Sequence, residues 1–147
     1  MIKVFVSGSI NIHILPQLAI EKLDSIMDKN FLVLIGDAPG VDSLVQQYLL
    51  SKNYRNVLVY YAGGTVRNNK GAWNIVHVES NNLIGRAMYT LKDKKMAKDS
   101  DYGLMIWDGK SKGTKENINE MLSLNKKFYV VENNFLKTHK DIKQNEL

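Results

Sequence analysis

Five short apolar runs punctuate the chain: Ile2–Val6, Phe31–Ile35, Val57–Tyr61, Leu104–Trp107 and Phe128–Val131. Most are continuous rather than alternating, and they are rich in Val, Ile and aromatic residues. A strand with one wet face alternates apolar and polar side chains, whereas a strand covered on both faces does not. The runs therefore predict strands sandwiched between two layers. Helical stripes lie between them. Ala19, Leu23, Ile26 and Met27 recur at i, i+4, i+7, i+8, and Thr114, Ile118, Met121 and Leu122 repeat that spacing. Val41, Leu44, Val45, Tyr48 and Leu49 form a third stripe. Each can cover one face of a sheet. The alternation predicts an α/β, Rossmann-like doubly wound sheet of about five parallel strands with helices on both faces. A long excursion separates the third run from the fourth. In it Gly63–Gly71 reads as loop, Trp73–Val78 as an extra strand or extended segment, and Ile84–Lys98 as a helix.

A chain of 147 residues fits one domain, expected over residues 1–131. Residues 132–147 are polar apart from Phe135, Leu136, Ile142 and the final Leu147, and are expected to form a frayed or loosely docked tail. The absence of cysteine excludes disulfides, thiolate metal sites and a cysteine nucleophile, and fits a reducing cytoplasm. His13, His77 and His139 are scattered without ligand spacing, so neither a metal nor another cofactor is expected. The apolar runs are far shorter than a membrane span, and Met1-Ile2-Lys3-Val4 leads straight into a strand, so neither membrane insertion nor a signal peptide is expected. The formal charge of +5 suits a phosphate-bearing ligand or weak attraction to nucleic acid, without establishing either. The clusters Lys92, Lys94, Lys95, Lys98 and Lys137, Lys140, Lys143 read as solvated surface.

Ligands of doubly wound sheets sit beyond the carboxyl ends of the strands, where the strand order reverses. An order 3-2-1-4-5 of the five runs brings three loops to that point. The first is Ser7-Gly8-Ser9, where glycine admits close approach and two hydroxyls offer hydrogen bonds, although small turns after strands are common. The second is Gly36-Asp37-Ala38-Pro39-Gly40-Val41-Asp42, leading into a helix. Asp42 falls in the first turn, where it either complements the helix dipole or hydrogen-bonds a ribose or base. The third, Asp108-Gly109-Lys110-Ser111-Lys112-Gly113-Thr114, joins glycines, hydroxyls and lysines to a helix start. It is the best phosphate cradle in the chain, and its plain structural alternative is a turn capped by Ser111 or Thr114. It lacks the earlier glycine of a Walker A loop; no Gly-x-Gly-x-x-Gly follows the first strand, and no Gly-x-Ser-x-Gly elbow exists.

These loops, in this order, resemble the SLOG superfamily, named for the DNA-processing protein A and Lonely Guy families. The resemblance spans Ile2 to Val131. It rests on Gly36–Asp42, which is similar to a Gly-Gly-Ala-x-Gly-Ala-Asp turn, on the basic helix Lys92–Asp101, and on Trp107–Thr114, the most specific segment. The resemblance implies a Rossmann-like sheet, recognition of a nucleotide or nucleotide-derived molecule, and self-association. The ligand residues it and the loops nominate are Ser7, Gly8, Ser9, Gly36, Asp37, Gly40, Asp42, Lys92, Asp108, Gly109, Ser111, Gly113, Thr114 and Asn117.

The Lonely Guy branch cleaves the N-glycosidic bond of nucleotide monophosphates with a Pro-Gly-Gly-x-Gly-Thr-x-x-Glu motif and an upstream Arg. Here the Pro-Gly-Gly gives way to Asp108–Lys112, the Arg position falls on Lys92, and the Glu position falls on Asn117. An amide cannot act as the carboxylate that stabilises oxocarbenium character. Glu116 and Asp108 are the remaining catalytic candidates on that loop and helix start. The leading expectation is thus a sensor or sequestering module for a nucleotide-derived ligand, followed by an N-glycosidase or ribosyltransferase. Single-stranded DNA binding comes last, because Asp93, Asp99 and Asp101 interrupt the basic cluster.

Overall fold

The computed structural model describes residues 1–133. Its elements are β1 (Lys3–Gly8), α1 (Gln17–Asp28), β2 (Leu32–Gly36), α2 (Val41–Ser51), β3 (Val57–Ala62), β4 (Asn74–Val78), α3 (Gly85–Asp99), β5 (Tyr102–Trp107), α4 (Lys112–Ser123) and β6 (Lys127–Glu132). They form an α/β fold around one sheet ordered β4-β3-β2-β1-β5-β6, with every pairing parallel. The five apolar runs occupy the expected order as β3-β2-β1-β5-β6. The expectation of about five strands is corrected to six, because the Trp73–Val78 segment contributes β4 at the edge. An edge strand has one partner and a wet flank. Asn74, Ile75 and His77 are exposed and Val78 is buried, so the segment carries no continuous apolar run. At the other edge β6 runs to Glu132, one residue into the expected tail. The rest of that tail, from residue 134 on, lies outside the described residues.

The continuous apolar pattern of β1 follows from its central place. Val4 and Val6 join the core beneath α1 and α2 with Leu23, Ile35, Val45 and Leu49. Phe5, pointing the other way, joins Leu34, Met96, Met105 and Met121 beneath α3 and α4. Burying each such side chain contributes about 1.5–3 kcal/mol. Leu122 departs from its expected stripe: it is 57% exposed, and Asn117 takes the buried place beside Thr114, Ile118 and Met121. A polar group therefore faces inward on α4.

Three helices end in the same way. Asn30, Asn53 and Asn125 adopt left-handed φ values of 59°, 54° and 55° after α1, α2 and α4. The N–H of the following residue then reaches back to Ile26, Leu49 and Met121 respectively. These are Schellman closures, with asparagine tolerating the conformation that most side chains avoid. They turn the chain sharply toward the amino ends of β2, β3 and β6.

Candidate functional site

The order of the strands reverses at β1, which has β2 on one side and β5 on the other. Beyond the carboxyl ends of these strands, between α3 and α4, lies a cavity of about 590 Å³. That volume suits a small-molecule ligand.

One end of the cavity is a cluster of hydroxyls at the start of α4. Ser111 holds the N-cap position but makes no side-chain cap. Its Oγ instead lies 2.7 Å from Ser9 Oγ and donates to Thr114 Oγ1 at 3.0 Å, while Ser9 Oγ and Thr114 Oγ1 are 3.3 Å apart. The first-turn N–H groups of α4 are thus left without a side-chain cap beside three hydroxyls. The loop itself is shaped by Asp108, whose Oδ1 accepts the N–H groups of Lys110 and Ser111 at 2.8 and 2.7 Å. Burial pushes the Asp108 carboxyl up, but the N–H groups of Ser111 and Lys110 and the Ser9 hydroxyl outweigh it and hold the group below the usual carboxylate range.

The floor is charged. Lys92, expected on the surface, is 2% exposed, which corrects that reading. Its Nζ lies 3.7 Å from Asp37 Oδ1 and 3.6 Å from Asp93 Oδ1. Gly36 makes room for it: a Cβ there would sit 2.6 Å from Asp42 Oδ2 and 2.7 Å from Lys92 Nζ. Gly40 is needed for another reason, having φ 78° and standing against the backbone of Ile10, 2.4 Å from a Cβ placed there. Burial pushes the Asp42 carboxyl up to about 7, against the pull of Lys92 and with the added push of Asp93 and Asp37. Burial also raises Asp93, while Lys92 and the Asn117 amide counter it. Asn117 Nδ2 donates to Ser7 Oγ at 2.7 Å and to Asp93 Oδ2 at 3.1 Å, joining β1, α3 and α4.

Of the residues nominated from sequence, Ser7, Gly8, Ser9, Gly36, Asp42, Lys92, Ser111, Gly113, Thr114, Glu116 and Asn117 line the cavity. Asp37, Gly40, Asp108 and Gly109 do not line it. Asp37 holds Lys92 and Arg67, Gly40 turns the chain into α2, and Asp108 and Gly109 bend the loop before α4. The residues nominated from sequence as ligand-binding omit Arg67, Arg86, Tyr89 and Asp93, all of them cavity-lining. Arg67 and Arg86 counted only as basic residues toward nucleic acid, and Asp93 only as an interruption of the basic cluster. Arg86 crosses the mouth to Glu116, Nη2 to Oε1 at 2.7 Å, both side chains being exposed. Arg67 and Tyr89 were hidden because neither lies in a motif. An i, i+3, i+4 spacing of Tyr89, Lys92 and Asp93 was the available signal that they share a helix face. Among the described residues no group of acidic and histidine side chains is arranged to hold a metal, and no helix is long and apolar enough to cross a membrane.

No protein-family model matches the chain, and no curated protein matches it in sequence. In structure the chain is similar to DNA processing protein A from Helicobacter pylori, a structure described for its unique single-stranded DNA binding mode. The superposition has a TM-score of 0.69 at 18% identity and covers 93% of this chain and 68% of that one. At that identity the likeness shows a shared fold, the parallel sheet flanked by helices that DNA processing protein A also has.

Proposed function

We propose that the cavity binds a nucleotide unit, with its phosphate at the start of α4 and its sugar and base toward Asp42, Asp93 and Tyr89. The observation that carries this reading is the uncapped first turn of α4 set beside the Ser9, Ser111 and Thr114 hydroxyls at one end of the cavity. On this reading the protein is a SLOG-type sensor or sequestering module for a nucleotide-derived molecule, and it self-associates.

A second reading, binding of single-stranded DNA, is favoured by the likeness to DNA processing protein A. The acidic residues that interrupt the basic cluster also weigh less against it than their positions in sequence imply. Asp93 is engaged by Lys92 and Asn117, Asp99 by Tyr60 and Lys95, and Asp101 by the Lys3 N–H. Both readings place a phosphate and a base in the same cavity.

Native mass spectrometry and thermal shift separate them. The panel is AMP, cyclic nucleotides, ADP-ribose and a short oligothymidylate. The first reading expects a one-to-one complex and a raised Tm with a small nucleotide. A response to the oligonucleotide alone supports the second, and no response to any of them overturns both. The same native spectra report the subunit number.

A further inference from the structure

Arg67 is held unusually firmly for a residue in a loop. Its backbone N–H donates to Asp37 Oδ2 at 2.8 Å, and its Nη2 donates to Asp37 Oδ1 at 2.9 Å. Its guanidinium carbon lies 4.1 Å from the centroid of the Tyr89 ring. Asp37 is fully buried and is braced in turn by Lys92. Yet the Arg67 side chain remains 34% exposed, and Arg67 and Tyr89 both line the cavity. Asp37 offsets much of the guanidinium charge. What Arg67 offers a ligand is therefore its fixed flat face more than its charge.

We infer that the stacked pair Arg67–Tyr89 is the base-binding wall of the cavity, against which a nucleobase lies face to face. This rests on the phosphate reading of the α4 end and extends it to the other part of a nucleotide. Two flat groups already stacked present a ready surface to a third. The recognition is tolerant of base identity, because every base has a π face. Purines, with the larger face, bind more tightly than pyrimidines.

The test compares AMP with ribose 5-phosphate, which has the same phosphate and sugar but no base. The wall predicts that AMP binds about tenfold more tightly or better, in line with stacking of a single base. Arg67→Lys keeps the charge and removes the plane, and Tyr89→Leu removes the ring beneath it. Each should lower AMP affinity toward that of ribose 5-phosphate while leaving ribose 5-phosphate itself unchanged. The unfolding temperature of each variant shows that it is folded. The fluorescence of 2-aminopurine riboside monophosphate should be quenched on binding to the wild type and not by Tyr89→Leu. The same quenching of 2-aminopurine within an oligonucleotide would support the wall with a polymer as the source of the base. Equal affinities for AMP and ribose 5-phosphate would overturn the wall and leave the phosphate end standing. If neither compound nor the oligonucleotide binds, both fall.

Discussion

The side-chain amide of Asn117 on α4 donates to the carboxylate of Asp93 on α3, 3.1 Å away, beneath the candidate cavity. The same nitrogen donates to Ser7 at the end of β1. A carboxylate at position 117 can only accept, so it would lose the bond to Asp93, force the Ser7 hydroxyl to turn and donate, and set a second buried negative charge against Asp93. Asn117→Glu is therefore expected to destabilise the fold by roughly 1–3 kcal/mol or more, the cost of uncompensated buried polar groups. Chemical denaturation of the variant beside the wild type measures it, and an unchanged midpoint would contradict the role given to this amide.

The same pair bears on catalysis. N-glycosidic cleavage needs a carboxylate at the sugar. Position 117 supplies an amide engaged on both sides, Asp108 is turned into its own loop, and Glu116 is paired with Arg86. The two carboxyls toward the sugar, Asp42 and Asp93, are pushed up by burial and engaged by the Ala38 N–H and by Lys92 and Asn117 respectively. Incubation of the wild type with AMP, followed by chromatography, should show no enzyme-like release of adenine. Should adenine appear, Asp93 is the first residue to replace, since it is the carboxylate beside Asn117.

Asp42 gives the protein a pH signature. Its carboxyl sits at about 7 in the fold and near 3.8 when unfolded. Between those values the folded state holds a proton that the unfolded state has released, so stability falls as pH rises through the window and levels off above it. The slope contributed is at most about 1.4 kcal/mol per pH unit. Asp42→Asn keeps an acceptor for the Ala38 N–H, which donates to Asp42 at 3.1 Å, and removes the titration. The variant should gain stability relative to the wild type as pH goes from 4 to 7. Parallel stability curves for the two proteins would contradict this.

Much of the fold was legible because its strands are buried on both faces. Val4, Phe5 and Val6 can be read as a central strand without knowing their neighbours, since each is driven inward by the same physics. β4 was legible only as an extra strand or extended segment, because with one partner and exposed Asn74, Ile75 and His77 it carries no continuous apolar run. Within the site, Ser9, Ser111 and Thr114 were legible as small polar residues after strands and at a helix start. Lys92 was not, because lysine is rarely buried and nothing local shows that Asp37 and Asp93 will meet it. The Arg67–Tyr89 stack joins residues from a loop and a helix across 22 positions, and no periodicity encodes that contact.

The phosphate end of the cavity can be tested at Gly113. This residue lies in the first turn of α4, and a Cβ there would meet no atom within 4 Å, so the fold has room for a larger side chain. A branched one would stand over the N–H groups that a phosphate must reach. The most direct measurement is calorimetric titration of AMP into the wild type and into Gly113→Val, with unfolding temperatures recorded for both. Binding of one nucleotide per chain is predicted for the wild type, with affinity at least tenfold lower in the variant and little change in its unfolding temperature, as for the loss of charge-assisted hydrogen bonds. Equal affinity in a folded Gly113→Val protein, or no binding by the wild type, would contradict a phosphate site at the start of α4.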